Sequence, residues 1–411
     1  MSDSKLPAGW SKKPLGALVS FQKGRKTDTS KNALNGYARY LGASGLSGKD
    51  DGFADMAGAV IAEPSDLLML WDGERSGLVG YMQQGVVAST VSRLTPTDEI
   101  DSAYLYYKLV SLFDWIQARR TGTGVPHVPK DLGKILDIIY PKDKSVQRNI
   151  ATILRTIDSQ IDATQALIDK YTAIKQGMMA DLFSRGIDPE TKALRPTFEE
   201  APELYHETPL GMLPKGWDVV PASTICERVI DCKNRTPPER NEGFAVIKTS
   251  NIKNGELIAD SLTFTDEHSY HIWTARGVPQ AGDVVITREA PVGESFLITD
   301  EMPSMCLGQR TMLYRPDPEA IQPMFMYFAT RSPRFMKKLI DMAGGSTVGH
   351  VRVGDIKDMV FPKPNLSEQE HISQACLAIS DKLRSEKEFL EKLISQKAGL
   401  MQDLLTGKVP V

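Results

Sequence analysis

The chain of 411 residues has little of what marks a secreted, membrane or catalytic protein. Its four cysteines (Cys226, Cys232, Cys306, Cys376) are too few for a disulfide framework, and none forms a CxxC pair that would support a zinc site. No stretch approaches the ~18 consecutive apolar residues of a transmembrane helix. Met1 to Lys13 holds no apolar core, so no signal peptide is expected, and a cytoplasmic protein with no membrane partner is the default expectation. The net charge of −3 is spread evenly, and no segment forms a basic arm, which argues against a generic polybasic nucleic-acid binder. What is present, 41% hydrophobic and 25% charged residues, suffices for sizeable cores in two to three domains of about 150 residues each.

Catalytic signatures are equally scarce. Gly42 to Lys49 resembles a phosphate loop, but Ala43 stands where the first Gly is needed and Asp50 where Ser or Thr would bind Mg²⁺. Asp188, Glu190 and Lys192 hint at a nuclease triad, but the acids are two residues apart in a turn-rich stretch. Thr236-Pro-Pro-Glu239 lacks the flanking residues of an amino-methyltransferase motif, and His268 and His271 lack a clear third metal ligand. The chain reads as a binder without a cofactor or metal of its own.

The most informative feature is an internal repeat. Leu6-Pro-Ala-Gly-Trp10 recurs as Leu213-Pro-Lys-Gly-Trp217, His127-Val128 as His350-Val351, and Gln147 to Leu182 as Gln369 to Leu404. The ends of the two copies match and their middles diverge.

Each copy ends in a heptad pattern. Ile150, Leu154, Ile157, Ile161, Thr164, Ile168, Tyr171, Lys175, Met178 and Leu182 alternate at spacings of four and three. Ile372, Cys376, Ile379, Leu383, Glu386, Leu390, Leu393, Lys397, Leu400 and Leu404 do the same. Such a seam predicts two long helices packed on one another. The polar slots coincide, Thr164 with Glu386 and Lys175 with Lys397, and polar seam residues fix register at some cost in stability.

The domains expected are a globular module over 1–145, a long helix over 146–184, a surface linker over 185–208, a second module over 209–365 and a second long helix over 366–411. The modules read as mixed α and β. Asp66 to Leu70 and Asp283 to Ile286 suit strands, and Tyr104 to Arg120 and Met324 to Met342 suit helices that lead into Gly-rich loops.

Loops in both modules carry the cations and short polar side chains that nucleic-acid contact needs. The candidates in the first module are Lys23, Arg25, Lys26, Thr27, Arg75, Arg119, Arg120 and Thr121. In the second they are Lys233, Asn234, Arg235, Thr236, Thr249, Ser250, Asn251, Arg288, Ser346, Thr347, His350 and Arg352. Arg and Asn can read base edges, while Lys, Ser and Thr mostly grip phosphate.

Taken in order, these features resemble the specificity subunits of type I restriction-modification systems. The carriers are Leu-Pro-x-Gly-Trp at 6–10 and 213–217, Gly282-Asp-Val-Val285, Ile286 to Gly293, and the Gly loops. To these add Pro362-x-Pro364, Ser367 to Ile372, and the heptad helix ending in Lys397 to Gly407. The first copy keeps Gln147 to Ile150 and Lys175 to Leu182, but departs at 71–80, where Trp-Asp-Gly-Glu-Arg stands in place of Thr-Arg-Glu-Ala-Pro. The resemblance implies an α+β fold of two target-recognition domains separated by antiparallel long helices. It also implies double-stranded DNA read as an asymmetric bipartite target, two methyltransferase subunits, and restriction (translocase-nuclease) subunits. DNA methylation and cleavage would then belong to those partners. An alternative is a coiled-coil scaffold whose two modules bind proteins.

Overall fold

The computed structural model describes residues 6–122, 124–345 and 349–411. Two compact units divide the chain: one holds the chain through Ala166 together with Lys387–Val411, the other is Leu167–Glu386. Both long helices, Lys144–Leu182 and Leu366–Leu404, are 39 residues long, roughly 58 Å each, and each contributes one half to either unit.

The units are built alike. The first has a four-stranded antiparallel sheet in the order Val19–Lys23, Val91–Pro96, Leu67–Leu70, Val79–Tyr81. The second repeats it with Cys226–Asp231, Thr311–Pro316, Val284–Thr287, Ser295–Leu297. The strands expected near 66–70 and 283–286 are thus central ones, which explains their apolar runs. Leu67 and Met69 enter one core and Leu68 and Leu70 another, as alternation across a strand requires. Val284 and Ile286 face one core and Val285 another in the second unit.

A second sheet in each unit carries one parallel pair, Tyr37–Leu41 with Gly85–Val87 and Phe244–Ile247 with Met305–Leu307. It has five strands in the first unit and three in the second, so the divergence between the copies lies here.

The Leu-Pro-x-Gly-Trp motif is a tight turn in both units. Trp10 N–H donates to Pro7 at 3.1 Å and Trp217 N–H to Pro214 at 3.1 Å. Gly9 and Gly216 take positive φ, +79° and +93°, at the position where such a turn needs glycine.

The expected module helices are each broken in two. Ser102–Ser111 and Phe113–Gln117 meet at Leu112, and Pro323–Thr330 and Pro333–Met342 meet at Arg331–Ser332. In the second case Ser332 caps a new helix with Pro333 in its first turn, where a missing N–H costs nothing.

The long helices pair antiparallel. In the first unit the N-terminal half of one buries Ile150 and Leu154 with Leu404 of the other. In the second unit Met179 and Leu182 share a core with Ile372 and Cys376, the sulfurs of Met179 and Cys376 lying 3.5 Å apart. Ile150, Leu154, Ile157, Ile168, Leu182, Ile372, Leu383, Leu393 and Leu404 are buried. Ile161, Tyr171, Met178, Ile379, Leu390 and Leu400 are half-buried. The stretch expected to be a surface linker is mostly exposed and is anchored at a few points: Ile187, Ala201 and Tyr205 are buried, and the Arg195 guanidinium grips the Glu368 carboxylate.

Candidate nucleic-acid interface

In the first unit three segments converge at one end of the four-stranded sheet. The central strand runs into the 71–77 loop, the first strand ends at Lys23, and Phe113–Gln117 leads toward His127. Gly73 N–H donates to Pro126 at 2.8 Å, Val128 N–H to Trp71 at 2.9 Å, and Thr121 and His127 exchange main-chain hydrogen bonds. Gly77, at φ +95°, lets the loop approach Ile116 so closely that a Cβ there would lie 2.8 Å from that side chain.

This frame brings Lys23, Arg75, Arg119, Arg120 and Thr121 into neighbouring loops. Arg75 is exposed; Arg119 is exposed and stacks its guanidinium 3.8 Å from the Trp115 ring. Arg120 is half-buried and ties down the 71–77 loop through the Glu74 carbonyl at 2.6 Å. Arg25 donates to the Gly58 carbonyl at 3.2 Å, Lys26 is exposed, and Thr27 is half-buried.

Asp72 joins two of these segments. Its carboxylate lies 2.7 Å from His127 Nδ1 and 2.9 Å from Lys23 Nζ. Burial pushes the carboxyl up, and the hydrogen bonds from Lys23 and His127 outweigh it, so Asp72 sits below the usual carboxylate range.

The second unit presents a different surface. The Trp273 ring, on a helix capped by Asp266, carries Lys233 Nζ at 5.2 Å and the Arg235 guanidinium at 5.3 Å from its centroid. Its Nε1 donates to the Arg235 carbonyl at 2.9 Å, which fixes this loop. Asn234, Arg235 and Thr236 are exposed, Lys233 half-buried, Thr249 half-buried and Ser250 exposed. His350 and Arg352 are exposed, and Glu289 lies 3.0 Å from His350 Nδ1 and 2.5 Å from Arg310 Nε. Ser346 and Thr347 lie outside the described residues.

Two of the expected contacts turn inward. Asn251 is buried; its Oδ1 accepts from Lys248 N–H and its Nδ2 donates to Ser261, each at 2.8 Å, so its amide is spent on the loop itself. Arg288 is 5% exposed and donates to the Val351 carbonyl at 3.2 Å. Both have one cause: buried main-chain groups of irregular segments need partners, and the nearest polar side chains supply them, Asn251 for 248–261 and Arg288 at Val351.

Sequence reasoning missed Asp72, His127, Glu289 and Arg310 as site residues, although His127 and His350 stand in matching places. It also missed Lys130, Lys134, Lys357 and Arg276, which line grooves beside the first strand of each four-stranded sheet. Among the described residues no group of His, Cys, Asp and Glu could hold a metal ion. Burial pushes the thiols of Cys226, Cys306 and Cys376 up to about 12, which leaves them poor nucleophiles. No helix among the described residues is long and apolar enough to cross a membrane. The arrangement can hold anions and read polar edges.

A duplicated α+β module fastened to a long heptad helix, with cationic polar loops that differ between copies, defines a class of tandem recognition proteins. The model of the type I restriction modification DNA specificity domain matches residues 7–172 and 214–393, and the chain belongs to that family. It is 25% identical over 423 aligned positions to the type I restriction enzyme MjaVIII specificity subunit of Methanocaldococcus jannaschii, covering 100% of this chain and 95% of that one. The putative MjaX specificity subunit of the same organism is 24% identical over 326 positions, 76% of this chain and 69% of its own. The fold is similar to the S subunit of a type I restriction-modification system from M. genitalium, with TM-score 0.62, 16% identity and coverage of 98% and 97%. A chain from a study of complex assembly and conformational transition of the type I R-M system matches with TM-score 0.55, 16% identity and coverage of 99% and 100%.

Proposed function

We propose that this chain is the sequence-specific DNA-binding subunit of a type I restriction-modification complex, each module reading one half of an asymmetric bipartite target. The observation that carries the reading is the duplication: one sheet architecture, one turn motif and one helix attachment occur twice, around loops of different shape and chemistry. Similar ends suit two copies of one partner, and divergent loops suit two different half-sites. Lys23, Arg75 and Arg119 in the first module, and Lys233, Arg235 and Arg352 in the second, are the cations offered to DNA.

In this account the paired helices set the gap between half-sites and dock two methyltransferase subunits, which restriction subunits then join. The chain itself performs no chemistry; methyl transfer, translocation and cleavage belong to the partners, and the complex works in the cytoplasm. Linking two weak readers raises the local concentration of the second once the first has bound. A near-neutral chain would then bind DNA weakly by itself and tightly only in the complex. The test is footprinting of the methyltransferase complex on its DNA. Two protected blocks with an unread gap are expected; failure of the assembled complex to contact DNA would favour a protein-binding scaffold.

A further inference from the structure

We infer that Lys23–Asp72–His127 and Arg310–Glu289–His350 are two copies of one phosphate grip, each placed to hold a backbone phosphate of its own half-site; this rests on the DNA-binding reading above. Asp72 Oδ1 lies 2.7 Å from His127 Nδ1 and Oδ2 lies 2.9 Å from Lys23 Nζ. Glu289 Oε2 lies 3.0 Å from His350 Nδ1 and Oε1 lies 2.5 Å from Arg310 Nε. The main-chain frame is also the same. Val128 N–H donates to Trp71, next to Asp72, at 2.9 Å; Val351 N–H donates to Arg288, next to Glu289, at 3.0 Å. Sequence comparison hides this match, because Asp72 and Glu289 fall in the stretch where the two copies depart from one another.

A carboxylate only accepts hydrogen bonds, so Nδ1 carries the proton in both rings and Nε2 is the nitrogen left for a ligand. The side chains of His127 and His350 are 46% and 52% exposed. In each cluster the cation offsets the carboxylate. His127 is paired with Asp72, which also holds Lys23, and His350 with Glu289, which also holds Arg310. Phosphate oxygens only accept, so the ring that grips one carries a proton on Nε2 as well, and Nε2 donates an aimed, charge-assisted hydrogen bond.

The choice of phosphate over base follows from the duplication. The surrounding loops differ, as they must if they read different sequences. The carboxylate–imidazole pair recurs in both modules on a matching main-chain frame, while its cation comes from the end of the first strand in one (Lys23) and from the residue before the Thr311–Pro316 strand in the other (Arg310); a shared pair suits what both half-sites share, and that is the sugar-phosphate backbone.

The experiment uses the full chain in complex with its methyltransferase subunits, and a duplex carrying the sequence that the complex methylates. His127→Ala should weaken binding roughly tenfold. It should lower the salt slope by about one, without changing the ranking of base substitutions. Single phosphates are then replaced by methylphosphonate. One position in one half-site should matter for the unaltered complex and cease to matter in His127→Ala, and His350→Ala should do the same at a position in the other half. Asp72→Asn keeps the imidazole but loses its anchor, and should reproduce the same loss of sensitivity; a merely structural Asp72 would lower the melting temperature and leave that sensitivity intact. His127→Gln, which keeps a donor on a shorter reach, should restore part of the affinity. A changed base preference, or unaltered sensitivity at every phosphate, would overturn the grip and leave the DNA reading standing. If the unaltered complex bound its duplex no better than a scrambled one, the DNA reading would fail and the grip with it.

Discussion

Lys397, a cation at a seam position of the second long helix, places its Nζ 2.6 Å from Asp158 Oδ1 of the first. Asp158 also accepts from the Tyr107 hydroxyl at 2.7 Å, which ties the helix pair to the module helix Ser102–Ser111. A lysine in an apolar seam would otherwise cost stability; here it has one partner at one register. The pair is about one quarter exposed, so its worth is modest. A double-mutant cycle of Asp158→Ala and Lys397→Ala should give a coupling of about 1 kcal/mol in chemical unfolding. Additive losses would mean the pair does not set the register.

Gln147 and Gln369 make the same three hydrogen bonds in their own units. Gln147 accepts from Asp101 N–H at 2.7 Å and donates to Pro141 and Glu99 at 2.7 and 3.2 Å. Gln369 accepts from Gln322 N–H at 2.8 Å and donates to Pro364 and Ala320 at 2.9 and 3.3 Å. Both are fully buried. Each fastens the first turn of a long helix to the start of a module helix. Replacing either by Leu should cost about 2–4 kcal/mol, because a buried N–H and carbonyls lose their partners. A thermal midpoint unchanged by Gln369→Leu would contradict this.

Lys108 is buried in the first unit, and its ammonium donates to the Leu405 carbonyl at 2.8 Å. Burial lowers its pKa to about 8 from 10.5. The unfolded chain therefore binds more protons than the folded one between those values, so this group's contribution to stability rises with pH from about 8 to 10.5. The rise should be on the order of 3 kcal/mol. Unfolding at pH values across that window should show it in the unaltered chain and not in Lys108→Met. Equal slopes in both would place the effect elsewhere.

Arg235 is braced against Trp273 and exposed at its tip. Arg235→Ala should relax base preference or lower methylation in one half of the site and leave the other half unchanged. A loss of about 1–3 kcal/mol at one position is the scale of a lost base contact. Methylation of substrates varied in each half separately measures this. Equal change in both halves would contradict independent modules.

Much of this was legible in the sequence, and the boundary has a physical cause. The heptad seams were legible because a helix repeats its burial locally, and Ile150 or Leu404 needs only its own neighbours to reveal its role. The strands at Leu67 and Val284 were legible because burial on both faces leaves an unbroken apolar run. The inward turn of Asn251 and Arg288 was not, since an amide or guanidinium reads the same whether it meets solvent or a carbonyl 10 or 63 residues away. The Asp72–His127 link spans 55 residues and the Glu289–His350 link 61, and only the folded sheet brings them together. The anchoring of 185–208 is not legible, because Arg195 finds its partner, Glu368, 173 residues on.

The most direct test of the account is a methylation map. The chain is expressed with its methyltransferase subunit in a host free of adenine methylation, and modified adenines are read by long-read sequencing. The account predicts one split, asymmetric motif with a fixed gap. A continuous or palindromic motif, or no new methylation where both proteins are present and associated, would contradict it.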